Sequence, residues 1–175
     1  LVTISSDSEP VYQRMFLHKE TKEIRLYGLG GNDQFNIDGK ADKGILVRVI
    51  GGEGEDTITD SSFVGGGSHK TKVYDEPKTV LLTGKETRSF ISNDSIRNVY
   101  QRRANRYDWL GPKLSPGYNP DDGIYIGGGF TFKKQQFGKQ PFGYLHSVWG
   151  NYAIATGAWN FWYKGVFREA FGKWD

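Results

Sequence analysis

The chain has 175 residues, of which 37% are hydrophobic and 25% are charged, enough apolar material for one domain or two small ones. It contains no cysteine, which excludes disulfides and thiolate metal sites. Its net charge of +3 is spread over similar numbers of acids and bases, which argues against nucleic acid as a partner. Aromatic residues make up 15%, and together with 24 glycines they favour β-structure rich in turns.

The first 23 residues predict one or two short strands, at 2–5 and 11–17, because both segments contain β-forming residues. A polar turn follows them. No residue pattern in this segment suggests chemistry.

A sequence repeat follows the first strands. Its copies are IRLYGLGGNDQFNI at 24–37 and VRVIGGEGEDTITD at 47–60, and they align with an offset of 23 residues. Each copy contains a short apolar strand, a glycine-rich turn with one aspartate, and a second short strand. Such a repeat is typical of coils that stack on their own copies. The sequence therefore predicts a β-solenoid or roll-like region over 1–98.

Asp33 and Asp56 close the two turns and are the candidate metal ligands. The second copy fits the nonapeptide of calcium-binding β-rolls, and the first copy fits it in part. Two interpretations stay open. The carboxylates either brace glycine-rich corners by capping backbone N–H groups, or they hold Ca²⁺ together with turn carbonyls and Asn32 or Glu55.

The segment after the repeat continues in the same style. Candidate strands at 71–75 and 79–84 predict either a third coil or a closing hairpin, and the polar run at 85–98 is expected to cap the region. Residues 99–120 mix arginine, aromatic residues and proline, which predicts a linker or an extended crossing segment.

From residue 121 the pattern alternates with a period of two. Three strands of about 11 residues are predicted, the length that crosses a bilayer at the tilt of a barrel strand. The residues expected on one face are Ile124, Ile126, Phe130 and Phe132 in the first strand and Trp159, Phe161, Tyr163 and Phe167 in the third. This alternation is typical of an outer-membrane barrel, but a soluble β-meander with one buried face would share it.

Two passages together resemble one family. They are the repeat at 24–60 with KVYD at 72–75, and the C-terminal run in which DDGIYIGGGF is followed by FGKQPF and NYAIATGA. They are similar to the C-terminal part of Bacteroidota envelope proteins that join a calcineurin-like metallophosphoesterase domain to a BamA-like surface-antigen barrel. The likeness extends from about Lys22 to the end of the chain.

The resemblance implies a Gram-negative outer-membrane location, with a periplasmic β-region before the barrel and phosphoester hydrolysis elsewhere in such proteins. The chain contains none of the metal-binding motifs of that hydrolase domain, and its three histidines are isolated. We therefore expect no enzymatic activity in it, and we expect any catalytic domain to lie upstream of Leu1.

These arguments predict an all-β chain with a Gly-Asp repeat region over 1–98, a linker over 99–120, and the first antiparallel strands of an incomplete BamA-like barrel over 121–175. The first predicted function is a non-catalytic scaffold that anchors a larger outer-membrane protein, with the lipid bilayer and the rest of the parent chain as partners. The alternative is a soluble calcium-dependent binding module, with glycans as its candidate ligands.

Overall fold

The computed structural model describes residues 1–66, 69–93, 95–103 and 106–170, and it is built mostly of β-strands, as the composition predicts. The chain divides into two compact units, Leu1–Tyr100 and Gln101–Asp175, here called the first unit and the second unit. In the residues that the structure describes, no helix has the length and hydropathy needed to cross a membrane.

The first unit begins with an exposed hairpin of two antiparallel strands, β1 (Val2–Ser6) and β2 (Glu9–Arg14). Its turn residues Asp7 and Ser8 both have positive φ, at 49° and 69°, which suits the right-handed twist of a tight hairpin. The second strand begins and ends earlier in the chain than the sequence predicts.

The strands that follow in the first unit pair in parallel and form three sheets. They are β3 (Glu23–Gly30), β4 (Gln34–Ile37), β5 (Lys40–Ala41), β6 (Leu46–Glu53), β7 (Thr57–Asp60), β8 (Phe63–Val64), β9 (Thr71–Asp75), β10 (Val80–Thr83) and β11 (Thr87–Ile91). The chain visits the sheets in turn. Their strand orders are β11-β9-β6-β3, β10-β7-β4 and β5-β8. A short helix, α1 (Ser95–Asn98), follows β11.

The pairing register of these sheets follows the sequence repeat. Ile24 lies opposite Val47, and Gln34 lies opposite Thr57, so both pairs have the predicted offset of 23 residues. Strand β9 pairs in parallel with β6, and β10 with β7. Residues 71–83 therefore repeat the path through the two larger sheets a third time and do not form a closing hairpin. Each of the three passes, which begin at β3, β6 and β9, is here called a coil.

The core of the first unit is small and lies between the two larger sheets. Val49, Ile58 and Val73 are fully buried, one from each of β6, β7 and β9. Phe35 and Leu81 pack against this cluster from the neighbouring strands. Successive coils thus contribute apolar side chains to one continuous row.

The second unit is one antiparallel sheet. Its strands are β12 (Trp109–Leu114), β13 (Gly117–Asn119), β14 (Gly123–Lys134), β15 (Tyr144–Ala153) and β16 (Trp159–Phe167). The last three are consecutive neighbours, and β12 and β13 both pair with the other edge of β14.

The segment predicted as a linker at 99–120 thus contains two strands of this sheet. Pro112, which reads as a strand breaker, lies on the edge strand β12 opposite Phe130. An edge strand tolerates proline because one side of its backbone does not need to donate to a neighbour. Residues 104 and 105 of the predicted linker lie outside the described residues.

Candidate functional site

Glycines let successive coils of the first unit stack closely at the aspartate turns. Gly52 and Gly54 have φ values of +107° and +145°, which favour glycine. A Cβ atom on Gly52 would overlap the carbonyl oxygen of Leu29, and one on Gly54 would overlap that of Gly31. The turns of the first two coils are therefore in direct backbone contact.

The structure brings the two predicted metal ligands together. The backbone N–H of Asp33 donates to Asp56 Oδ1 at 2.8 Å, and that of Glu55 donates to Asn32 Oδ1 at 2.9 Å. These hydrogen bonds are those that the bracing interpretation expects. They leave Asp56 Oδ2 for another role, and the calcium interpretation stays a prediction.

Asp75 is a third aspartate at this place, which the sequence reasoning missed. Since Ile50 pairs with Tyr74, the next residue of β9, Asp75, occupies in the third coil the position of Gly51 in the second. Asp75 Oδ1 accepts a hydrogen bond from the N–H of Glu76 at 2.8 Å. Aligning TKVYD with VRVIG would have shown this departure from the repeat.

The carboxylates of Asp56 and Asp75 converge beneath Gly51. A Cβ atom on Gly51 would overlap the Oδ2 atoms of both aspartates, so these two oxygens occupy the space that the glycine leaves. A Cβ atom on Gly28, one coil earlier, would overlap the Gly51 carbonyl oxygen and lie 2.6 Å from Asp33 Oδ2. We call Asp33, Asp56 and Asp75 the aspartate row.

The aspartate row contains two buried members, Asp56 and Asp75, and one half-buried member, Asp33, and its carboxylates are poorly compensated. Asp56 is 1% exposed and Asp75 is 0% exposed. The Oδ2 atoms of all three aspartates are buried without a hydrogen-bond partner among the described residues. Burial raises the pKa of Asp33 and that of Asp75, and the neighbouring charge of Asp56 raises both further. Within the described ranges, no group of three or more His, Cys, Asp or Glu side chains is arranged to hold a metal ion.

Asp60 is a buried carboxylate of the same unit in which both oxygens accept hydrogen bonds. Its Oδ1 accepts hydrogen bonds from the backbone N–H and the hydroxyl of Ser62 at 2.9 and 2.6 Å, and its Oδ2 accepts one from the Thr87 hydroxyl at 2.7 Å. Burial alone would raise the pKa of Asp60, but these hydrogen bonds lower it below the ordinary value. The unpartnered oxygens of the aspartate row are thus not a general property of buried acids here.

The second unit presents a different candidate surface. Residues that pair directly in antiparallel strands lie on the same face of the sheet. The register places on one face, here called the apolar face, Leu110, Leu114, Tyr118, Ile124, Ile126, Phe130, Phe132, Tyr144, Val148, Tyr152, Trp159, Phe161, Tyr163 and Phe167. For β14 and β16, this is the division between faces that the sequence predicts.

The apolar face is uncovered within the second unit. Leu114 is 85% exposed and Phe161 is 74% exposed, and most of its other large side chains are exposed as well. Its aromatic rings contact one another, as between Tyr152 and Trp159 at 4.7 Å and between Trp159 and Phe161 at 6.1 Å. The side-chain nitrogen of His146 lies 2.7 Å from the Tyr163 hydroxyl on this face, which gives that histidine a structural partner.

The opposite face, here called the polar face, is lined by glycines and by polar and lysine side chains interleaved with tryptophans. The hydroxyls of Thr131 and Ser147 lie 2.8 Å apart, and the Asn160 amide donates to Asn151 at 3.1 Å. The ammonium of Lys113 lies 4.2 Å from the centre of the Trp149 ring, within the range of a cation–π contact. The two faces of this sheet thus suit different environments.

Comparison with known proteins leaves the function to be argued from these sites. No protein-family model, curated protein or solved structure matches the chain.

Proposed function

We propose that the chain is a non-catalytic scaffold that anchors an outer-membrane protein. The second unit supplies strands of an outer-membrane barrel that place their apolar face against lipid. The first unit is a β-solenoid scaffold on the periplasmic side. The partners are the bilayer and the rest of the parent protein.

The uncovered apolar face carries this proposal. Soluble proteins rarely leave a contiguous apolar surface larger than a few hundred Å² in water. Here three neighbouring strands turn most of their large apolar residues to one side. The other side carries glycine, hydroxyl, amide and lysine residues, together with Tyr125, Leu145, Trp149, Trp162 and Val166. Alternation of this kind, with an apolar outer face and a polar inner face, is typical of membrane barrels.

Strand length supports the same function. Strands β14, β15 and β16 have 12, 10 and 9 residues, close to the roughly 9–11 residues that a tilted barrel strand needs to cross the hydrocarbon core. Among the described strands, β16 pairs only with β15. Since an open sheet edge is not stable in lipid, the proposal requires further strands against both edges of the sheet in the membrane, at β16 and at β12.

The first unit supports a scaffold role. Its coils repeat with the same register, and each buries apolar residues against the next. Stacked repeats of this kind give extended and stable supports.

The experiment is a comparison of two arginine variants on opposite faces of β16. Phe161→Arg puts a charge on the apolar face, whereas Asn160→Arg puts the same charge on the neighbouring residue of the polar face. The full chain is refolded from urea into lipid vesicles, and its association is measured by flotation and protease protection. We expect Phe161→Arg to weaken insertion by about 2–4 kcal/mol and Asn160→Arg to leave it nearly unchanged. Equal effects of the two variants would overturn the proposal.

A further inference from the structure

The aspartate row contains buried carboxylate oxygens without a hydrogen-bond partner among the described residues, and the scaffold function does not explain them. Buried carboxylates in proteins are normally paired with cations, hydrogen-bonded, or bound to metal. Asp60 follows this rule through Ser62 and Thr87. Asp56 and Asp75 are buried as Asp60 is, yet each has an Oδ2 atom without a hydrogen-bond partner in the described part of the chain.

The geometry points to a cation. We infer that Asp56 and Asp75 form a binding site for a hard divalent cation of the calcium type inside the first unit, beneath Gly51. The inference is independent of the membrane proposal. It assigns a role to Asp75, which lies on a strand and outside the glycine-rich turns.

Convergence of the two oxygens is the first argument. The Oδ2 atoms of Asp56 and Asp75 both lie next to the position that a Cβ on Gly51 would take, so any Cβ there would overlap both. Two ionised carboxylates that approach this closely repel each other strongly in a buried place unless a positive charge lies between or beside them. Glycine at position 51 keeps the space open for both oxygens.

Continuation of the row is the second argument. One coil away, Asp33 Oδ2 and the Gly51 carbonyl oxygen converge below Gly28 in the same way. A single shared proton would satisfy one pair of carboxylates, but the row has three unpartnered carboxylate oxygens. Calcium accepts six to eight oxygen ligands and combines carboxylates with backbone carbonyls and water, so two side-chain ligands are enough to start such a site.

The choice of calcium follows from the ligands. All the converging atoms are oxygens, which hard cations prefer. Magnesium demands a nearly ideal octahedron and loses its water reluctantly, whereas calcium adapts to irregular sets of ligands. We therefore expect Ca²⁺ to bind more tightly than Mg²⁺.

The test uses the full chain in detergent after treatment with a chelator. Calorimetric titration with CaCl₂ and with MgCl₂ measures binding, and thermal unfolding with and without Ca²⁺ measures the linked stability, because a ligand of the folded state raises Tm. We expect saturable Ca²⁺ binding, a higher Tm with Ca²⁺, and a weaker response to Mg²⁺. In a second assay, Tb³⁺ replaces Ca²⁺, and its luminescence is excited through the neighbouring Tyr74.

Two variants locate the site. Asp75→Asn keeps the shape of the side chain but removes its charge. Mutation of a residue that only supports a metal ligand lowers metal affinity by about 10- to 100-fold, so we expect the loss of a direct ligand to lower Ca²⁺ affinity at least tenfold. Asp38→Asn removes an exposed acid that directly follows the first copy of the repeat and should leave affinity unchanged. Because Asp75→Asn alters a buried residue, circular dichroism verifies its fold, and the wild-type titration decides the question if the variant is unfolded.

Three results would overturn the inference. The first is a wild-type chain that shows neither Ca²⁺ binding nor Tb³⁺ luminescence. The second is a Tm that does not change with Ca²⁺ but rises on mild acidification. That result would mean that Asp56 and Asp75 share a proton and bind no cation. The third is equal loss of affinity in Asp75→Asn and Asp38→Asn, which would place the cation on the surface.

Discussion

The two units place their apolar side chains in opposite ways. The first unit encloses Val49, Ile58 and Val73 between parallel sheets, where none of them reaches solvent. The second unit turns its largest side chains outward, as Leu114 and Phe161 illustrate. Both units use the strand period of two, so the period alone does not tell which environment a face meets. The difference supports the proposal that the second unit's apolar face meets lipid, whereas the first unit buries its apolar side chains in a core of its own.

Glycine also serves the two units differently. In the first unit, Gly28 and Gly51 leave space for carboxylate oxygens of the aspartate row. In the second unit, Gly129 lies against the backbone of Val148 and Trp149, where a Cβ would overlap the neighbouring strand. In the first unit, glycine therefore both admits carboxylate oxygens and, at Gly52 and Gly54, brings turns together, whereas Gly129 of the second unit brings strands together.

The largest expected effect on stability comes from truncating one isoleucine to alanine in each unit. Ile58→Ala removes a fully buried side chain of the first unit and should lower its free energy of unfolding by about 2–5 kcal/mol. Ile126→Ala removes an exposed side chain of the apolar face and should change the stability of the second unit in detergent by about 0.5 kcal/mol or less. Amide hydrogen exchange resolves the two units separately. A loss of several kcal/mol in Ile126→Ala would mean that the apolar face is a packed core.

A smaller effect concerns pH and the satisfied acid of the first unit. Because the folded-state pKa of Asp60 is lowered, its stabilising contribution is present above the unfolded value of 3.8 and is lost as pH falls through the lower folded value. Thr87→Val removes the hydroxyl that donates to Asp60 Oδ2 and should cost about 1–2 kcal/mol near neutral pH. The stability of Thr87→Val should therefore fall less between neutral pH and about pH 3 than that of the wild-type chain, because a smaller lowering of the Asp60 pKa leaves less stabilisation to lose.

The check is Tm measured from neutral pH to about pH 3 for the wild-type chain and for Thr87→Val. The two curves should converge at the acid end, because a protonated Asp60 no longer gains from the hydroxyl in either chain. Curves that stay parallel over the whole range would show that Thr87 stabilises the fold without acting on the charge of Asp60.

Much of the fold could be predicted from the sequence because its repeats are local. The alignment of Ile24 with Val47 gave the register of β3 and β6, and period-two alternation gave the faces of β14 and β16. The sequence does not decide between a third coil and a hairpin at residues 71–84, because a turn at Glu76 and Pro77 fits both. The parallel pairing of β9 with β6 decides for the coil.

Other features depend on tertiary contacts. Asp75 joins the aspartate row only because strand stacking places it at the position of Gly51, which a search for the turn motif does not test. Strand β12 contains Gly111 and Pro112 and therefore resembles a linker until its pairing with β14 is known. For Asp33 and Asp56, the sequence located the turn correctly, but their metal binding stays a prediction.

The measurement that tests the central claim most directly is a spin-label scan along β16. The chain has no cysteine, so single cysteines can be introduced without altering native ones. The full chain is placed in lipid vesicles, and collisions of each label with oxygen, which partitions into lipid, and with a water-soluble nickel complex are recorded. Labels at Trp159, Phe161 and Tyr163 should collide mainly with oxygen. Labels at Asn160, Trp162 and Lys164 should collide mainly with the nickel complex, so the preference should alternate with a period of two residues. Labels that all meet the nickel complex, or that show no alternation, would contradict the assignment of the apolar face to lipid.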